Sequence, residues 1–234
     1  MLEVPQLTTF REVVDKIPSR RDEILIKSLY LCAARVSELI GKVTPYDLKH
    51  HKSQAYGKHL TWKLQNYIPE NMAVREKMKE GFAKALILKM PVAKRKKKSR
   101  KKEPSIEDLL VFKTIALPCN PEFEPWTIDL LKWISKKKQL TFPITRQWAW
   151  QLVRDNLHEL DPKIHTHSLR HYRITHLIEY YGFDPYEVTV YAGWTIKTTA
   201  GAMGISAGSP IDIYTHLTWR RYFPKLLRNP FPIP

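Results

Sequence analysis

Residues 165–176 read HTHSLRHYRITH, which packs four of the chain's nine histidines and two arginines into one short run. Two chemistries use such a run. Imidazole is the commonest transition-metal ligand, and His165, His167 and His171 have the spacing of a ligand set. Alternatively, a helix that begins near Thr166 or Ser168 sets His167, Arg170 and His171 at i, i+3 and i+4 on one face. An arginine fork grips two oxygens of a phosphate, a histidine adds a donor, and the helix N-terminus adds partial positive charge. A metal site would draw on Asp161 or Glu179, the only close carboxylates, and would set Arg170 and Arg173 against the cation. The electrostatics favour an anion clamp with no metal.

The rest of the chain agrees with a polyanion partner. Its formal net charge is +16 and its pI about 9.8, an excess that draws nucleic acid first and an acidic membrane surface second. No run approaches the ~20 apolar residues of a membrane span, and the N-terminus lacks the pattern of a signal peptide. Only Cys32 and Cys119 are present, which excludes a disulfide framework and fits a reducing, cytoplasmic setting.

Outward from 165–176 the patterning is mostly helical. TTFREVVDKI (8–17) ends at Pro18, and RRDEILIKSLYLCAARVSELIGKV (20–43) reads as one long helix with Gly41 at its end. Later helices are expected over PWTIDLLKWISKKK, TRQWAWQLVRDNLHEL, HSLRHYRITHLIEYYG, DPYEVTVYAGW and IDIYTHLTWRRYFPKLL. HLTWKLQNYIP alternates as a strand does, and LLVFKTIALP is β-rich and bounded by Pro118. Between AKALILKMPVA and LLVFKTIALP, residues 94–102 read KRKKKSRKK, either the tip of a hairpin or a solvated loop. The fold class expected is α+β, mostly α-helical with a small antiparallel β-sheet, in one domain.

HSLRH also resembles the second signature box, H-x-L-R-H, of the tyrosine recombinases, the phage and plasmid integrase superfamily. CAARVSELIGKVTPYDL (32–48) is similar to the first box and nominates Arg35 and Glu38. YAGWTI resembles a later box with Trp194 where histidine is common, and IDIYTHL nominates Tyr214. AKRKKK before VFKTIALP is similar to the β-hairpin that presents a catalytic lysine. Lys94 matches best, with Lys89, Lys96, Lys97 and Lys98 as neighbours. The four ordered boxes span residues 35–214. The gap between Trp194 and Tyr214 is about twice the common one, which leaves Tyr222 as a weaker rival nucleophile.

The resemblance implies a DNA strand transesterification without metal, ATP or other cofactor. Tyr214 would attack the scissile phosphate, Arg35 and Arg170 would stabilise the transition state, and Lys94 would protonate the leaving 5′-oxygen. His167 would donate to phosphate or accept the tyrosine proton. Trp194 would pack and donate, His171 would orient its neighbours, and Glu38 would hold Arg35. Arg95, Lys96, Lys97, Lys98, Arg100, Lys101 and Lys102 would contact the DNA backbone, without sequence information. Residues 1–222 would form a single catalytic domain of archaeal-integrase type, without the family's N-terminal DNA-binding domain. Residues 223–234 would form a tail that docks in trans within a tetramer on double-stranded DNA. A type IB topoisomerase shares the same residue chemistry. A non-enzymatic DNA-binding module would use only the basic faces, and a metal-dependent nuclease would need the histidines as ligands.

Overall fold

The computed structural model describes residues 4–43, 55–76, 78, 80–96, 103, 106–194 and 218–227, and of 94–96, 106 and 107 the backbone alone. In chain order come α1 (Leu7–Asp15), α2 (Arg20–Leu31), α3 (Val36–Leu39), β1 (Thr61–Tyr67), α4 (Met72–Glu76), β2 (Ala83–Lys96), α5 (Ile106–Leu109) and β3 (Leu110–Pro118). The second half is helical: α6 (Pro125–Lys137), α7 (Arg146–Leu157), α8 (Thr166–Glu179), α9 (Pro185–Ala192) and α10 (Trp219–Leu226). The chain is mostly helical with a small antiparallel sheet of order β1-β2-β3, as expected.

The hairpin reading of the basic run holds for its described part. Ala85 to Pro91 pair with Phe112 to Pro118, and beyond an irregularity Lys96 lies opposite Leu110. Lys94, Arg95 and Lys96 therefore extend β2, whereas Lys97, Lys98, Arg100, Lys101 and Lys102 lie outside the described residues. Opposed residues of a ladder share a face. Leu86, Leu88 and Met90 thus line up with Leu117, Ile115 and Lys113, all buried. One of the six is a lysine, Lys113.

The long helix expected over 20–43 is broken. α2 stops at Leu31, and Ala33 takes a left-handed φ of 40°. The Ala33 N–H reaches Tyr30 O at 2.8 Å and the Ala34 N–H reaches Leu29 O at 3.0 Å, the bonding of a Schellman stop. That position favours glycine, so alanine, the best helix former, hides the break from a propensity reading. α3 then starts with Arg35 as its N-cap, and the Arg35 N–H donates to Glu38 Oε2 at 3.1 Å.

α2 runs through the core between α6 and α8, while α9 and α10 cover β3. Phe10, Tyr30 and Trp126 pack with ring centroids 4.8 to 5.8 Å apart. Beside them Arg11 grips Glu124 with bonds of 2.7 and 2.9 Å, and Arg173 lies 3.6 Å from the same carboxylate. Tyr222 of α10 seals the open edge of β3: its hydroxyl accepts the Ala116 N–H at 3.0 Å and donates to Thr114 O at 3.3 Å. Phe223, Leu226 and Leu227 are buried in the same core. The apolar face of α10 thus continues past Tyr222 to Leu227. Residues 228–234 lie outside the described residues. Among the described residues no helix is long and apolar enough to cross a membrane.

Candidate functional site

α8 begins at Thr166, as its sequence suggests. His165 caps it: its Nδ1 accepts the Ser168 N–H at 3.0 Å. The helical period then sorts the HTHSLRHYRITH side chains. His167 and His171 are exposed, with their rings edge to face at 4.7 Å. Arg173 and His176 turn into the core, where His176 bridges the Tyr30 hydroxyl and Pro5 O, each at 2.8 Å.

Arg170 points between these two sets and is only 1% exposed. Its guanidinium donates to Ala33 O and, at 2.9 Å, to Ala192 O, and lies 5.6 Å from the Trp194 ring. It therefore ties the turn after α2 to the end of α9. Burial pushes its pKa down to about 10; Glu38 opposes the shift and Arg35 adds to it.

Arg35 and Glu38 meet as expected, with Nη1 to Oε1 at 3.3 Å. The same Arg35 nitrogen donates to Ala93 O at 3.2 Å, and Glu38 Oε1 accepts the Ala93 N–H at 2.9 Å. The backbone immediately before Lys94 is thus fastened to α3. Desolvation is the main cause that lowers His167 to about 4, and the neighbouring His171, Arg170, Arg35 and His165 add to it. His167 is consequently neutral at pH 7 and offers one donor and one acceptor nitrogen.

A residue outside the expected set lies behind the cluster. Lys113 Nζ donates to Cys32 O at 2.8 Å and Ala33 O at 3.2 Å, and stands 3.5 Å from Glu38 Oε2. A lysine inside the apolar strand LLVFKTIALP was the available signal, because lysine is almost never fully buried without partners. Gly193 makes room for it. Its φ is 69°, and a Cβ there would lie 3.0 Å from both Lys113 Cδ and Val92 Cγ2.

Arg35, Glu38, His167, Arg170, His171 and Trp194 therefore converge from α2–α3, α8 and the end of α9, with the Lys94 backbone adjacent. Lys89 does not join them: it is exposed on the opposite face of the sheet, with Nζ 4.9 Å from the Phe112 ring. Tyr214 lies outside the described residues. The rival Tyr222 is fully buried, and its hydroxyl is engaged along β3. Among the described residues no group of three or more His, Cys, Asp or Glu converges to hold a metal ion. Asp161 is turned to Tyr172 and the Lys163 N–H, and Glu179 sits at the far end of α8.

No protein-family model and no curated protein matches the sequence. Among solved structures the chain is similar to the XerH site-specific recombinase bound to difH substrate in a pre-cleavage complex. Identity is 14% and the TM-score 0.47, over 85% of this chain and 48% of that one. The chain thus spans about half the length of that recombinase.

Proposed function

We propose that this chain cleaves and rejoins DNA as the catalytic part of a tyrosine-type site-specific recombinase. One observation carries the reading. Three cations, Arg35, Arg170 and Lys113, gather around the buried carboxylate of Glu38, and the cluster opens to solvent at His167 and His171. Such an excess of positive charge is complementary to an anion, and in a +16 protein a DNA phosphate is the fitting one. The order of the sequence boxes adds the chemistry.

In this reading the Tyr214 oxygen attacks the scissile phosphorus. A bond forms between that oxygen and phosphorus, the bond to the 5′-oxygen breaks, and a 3′-phosphotyrosyl link remains. Lys94 supplies the proton that turns the leaving oxygen into a 5′-hydroxyl, and the neutral His167 takes up the tyrosine proton. Arg35 and Arg170 stabilise charge on the non-bridging oxygens, and Glu38 and His171 hold the donors in place. Trp194 covers the Arg170 guanidinium. Arg95 and Lys96 on β2, with the basic residues beyond, contact the DNA backbone. Exposed Trp148 and Trp150 on α7, beside Arg146 and Arg154, offer a further basic and aromatic surface to nucleic acid. Assembly as a tetramer on two duplexes, with residues beyond Leu227 docking in trans, rests on the family resemblance.

The test is covalent trapping. Wild type and Tyr214→Phe are mixed with a plasmid pool carrying random inserts in excess EDTA, then denatured in SDS. Protein-linked DNA from wild type alone is the expected result, and joining of two duplexes separates a recombinase from a topoisomerase. An adduct in both proteins, or in neither, overturns the reading.

A further inference from the structure

Lys113 is not among the reacting groups described above, yet the partners of both arginines converge on it. Its side chain is 1% exposed, and its ammonium donates to Cys32 O and Ala33 O and stands 3.5 Å from Glu38 Oε2. Ala33 O also receives Arg170 Nη1. Glu38, through its other oxygen, receives Arg35 Nη1 and the Ala93 N–H. The Lys113 stem packs beneath Gly193, one residue beyond the Ala192 carbonyl that takes the second Arg170 bond.

We propose that Lys113 is a positioning residue that holds the Cys32–Ala33 turn and Glu38 from behind, and so sets how Arg35 and Arg170 meet a bound phosphate. The proposal rests on the reading of the cluster as a DNA phosphate site. Lys113 is given no reacting role, since its side chain is 1% exposed and its ammonium is held by Cys32 O, Ala33 O and Glu38. Its protonation is nonetheless within reach of solution conditions: burial lowers its pKa to about 8, against Glu38 and with Arg170. It is also faced by the charged Arg35 and by the titratable Cys32 thiol, which burial pushes up to about 12. On the helices packed against β3, Tyr191 is bonded to Leu31 O and Tyr222 to Ala116 N; burial raises both above the ordinary tyrosine range.

The experiment follows the carbon-detected Nε and Cζ resonances of Arg35 and Arg170 in the full chain. Wild type is compared with Lys113→Met at pH 7, and wild type alone is titrated from pH 7 to 9.5. Lys113→Met is expected to shift both arginines and to lower adduct yield from the plasmid pool at least tenfold. Wild type is expected to show the same arginine shifts as pH rises through about 8. Should Lys113→Met fail to fold, the wild-type titration decides. Arginine resonances that do not move overturn the proposal, as does an adduct yield in Lys113→Met equal to wild type. If wild type itself forms no adduct, the recombinase reading fails while the arginine resonances still judge Lys113.

Discussion

Glu38 accepts the Ala93 N–H at 2.9 Å across 55 residues of sequence, so the helix that starts with Arg35 is fastened to the strand one residue before Lys94. A fully buried carboxylate thereby joins two stretches that the family resemblance assigns to one reaction. Removing it leaves Arg35 and Lys113 without their shared anion. Glu38→Ala is expected to cost about 3–5 kcal/mol, the usual consequence of breaking a buried ion pair on one side. Urea denaturation measures it, and a loss under about 1 kcal/mol would show that the carboxylate is not the hub described.

Two tyrosines separate fold from chemistry. Tyr222→Phe removes the partner of the buried Ala116 N–H and is expected to cost about 1–3 kcal/mol while leaving DNA adduct formation intact. Tyr214→Phe is expected to do the reverse, with an unchanged melting temperature and no adduct. A Tyr222→Phe protein that melts like wild type but forms no adduct would reverse the assignment.

Acid should weaken the fold through His176. Burial is the main cause that lowers its pKa to about 4; the Pro5 carbonyl pulls upward, and Arg173 and Arg11 push further down. An unfolded histidine titrates near ~6.5, so between these values the unfolded chain binds more protons. Stability therefore rises with pH across this window and is lost as pH falls from ~6.5 through about 4, by on the order of 3 kcal/mol from this residue. Unfolding free energies taken at intervals from pH 7 to 4 should slope accordingly, and His176→Gln should flatten the slope. An equal slope in both proteins would assign the acid sensitivity to other groups.

Gly193 and Ala33 occupy the same left-handed region with different residues. Gly193→Ala is expected to destabilise by more than about 1 kcal/mol, because the φ is strained for alanine and the new Cβ crowds Lys113 and Val92. Ala33→Gly meets no such contact penalty, and its relief of strain, roughly 1 kcal/mol, is offset by glycine's entropy. Thermal melting of the two variants should therefore diverge, with only Gly193→Ala falling clearly below wild type.

The local features of this protein were legible in its sequence. Pro18, Pro125, the Asp184–Pro185 pair and the apolar spacing located helices α1, α6, α8 and α9, alternation located β1, and β-rich composition bounded by Pro118 located β3, because capping, periodicity and propensity act over a few residues. The ordered boxes nominated Arg35, Glu38, His167, Arg170, His171 and Trp194 without any contact being known. What the sequence left undecided depends on distant partners. Ala33 reads as helix, and only the carbonyl demand of Lys113 and Arg170 at that turn shows why the chain reverses there. Tyr222 reads as a rival candidate nucleophile, and only the tertiary structure shows it buried against the edge of β3. Lys113 reads as an odd charge in a strand until Cys32, Ala33 and Glu38 close around it. A buried charge is tolerated only where the tertiary fold supplies its partners, and those partners lie about 80 residues away in the chain.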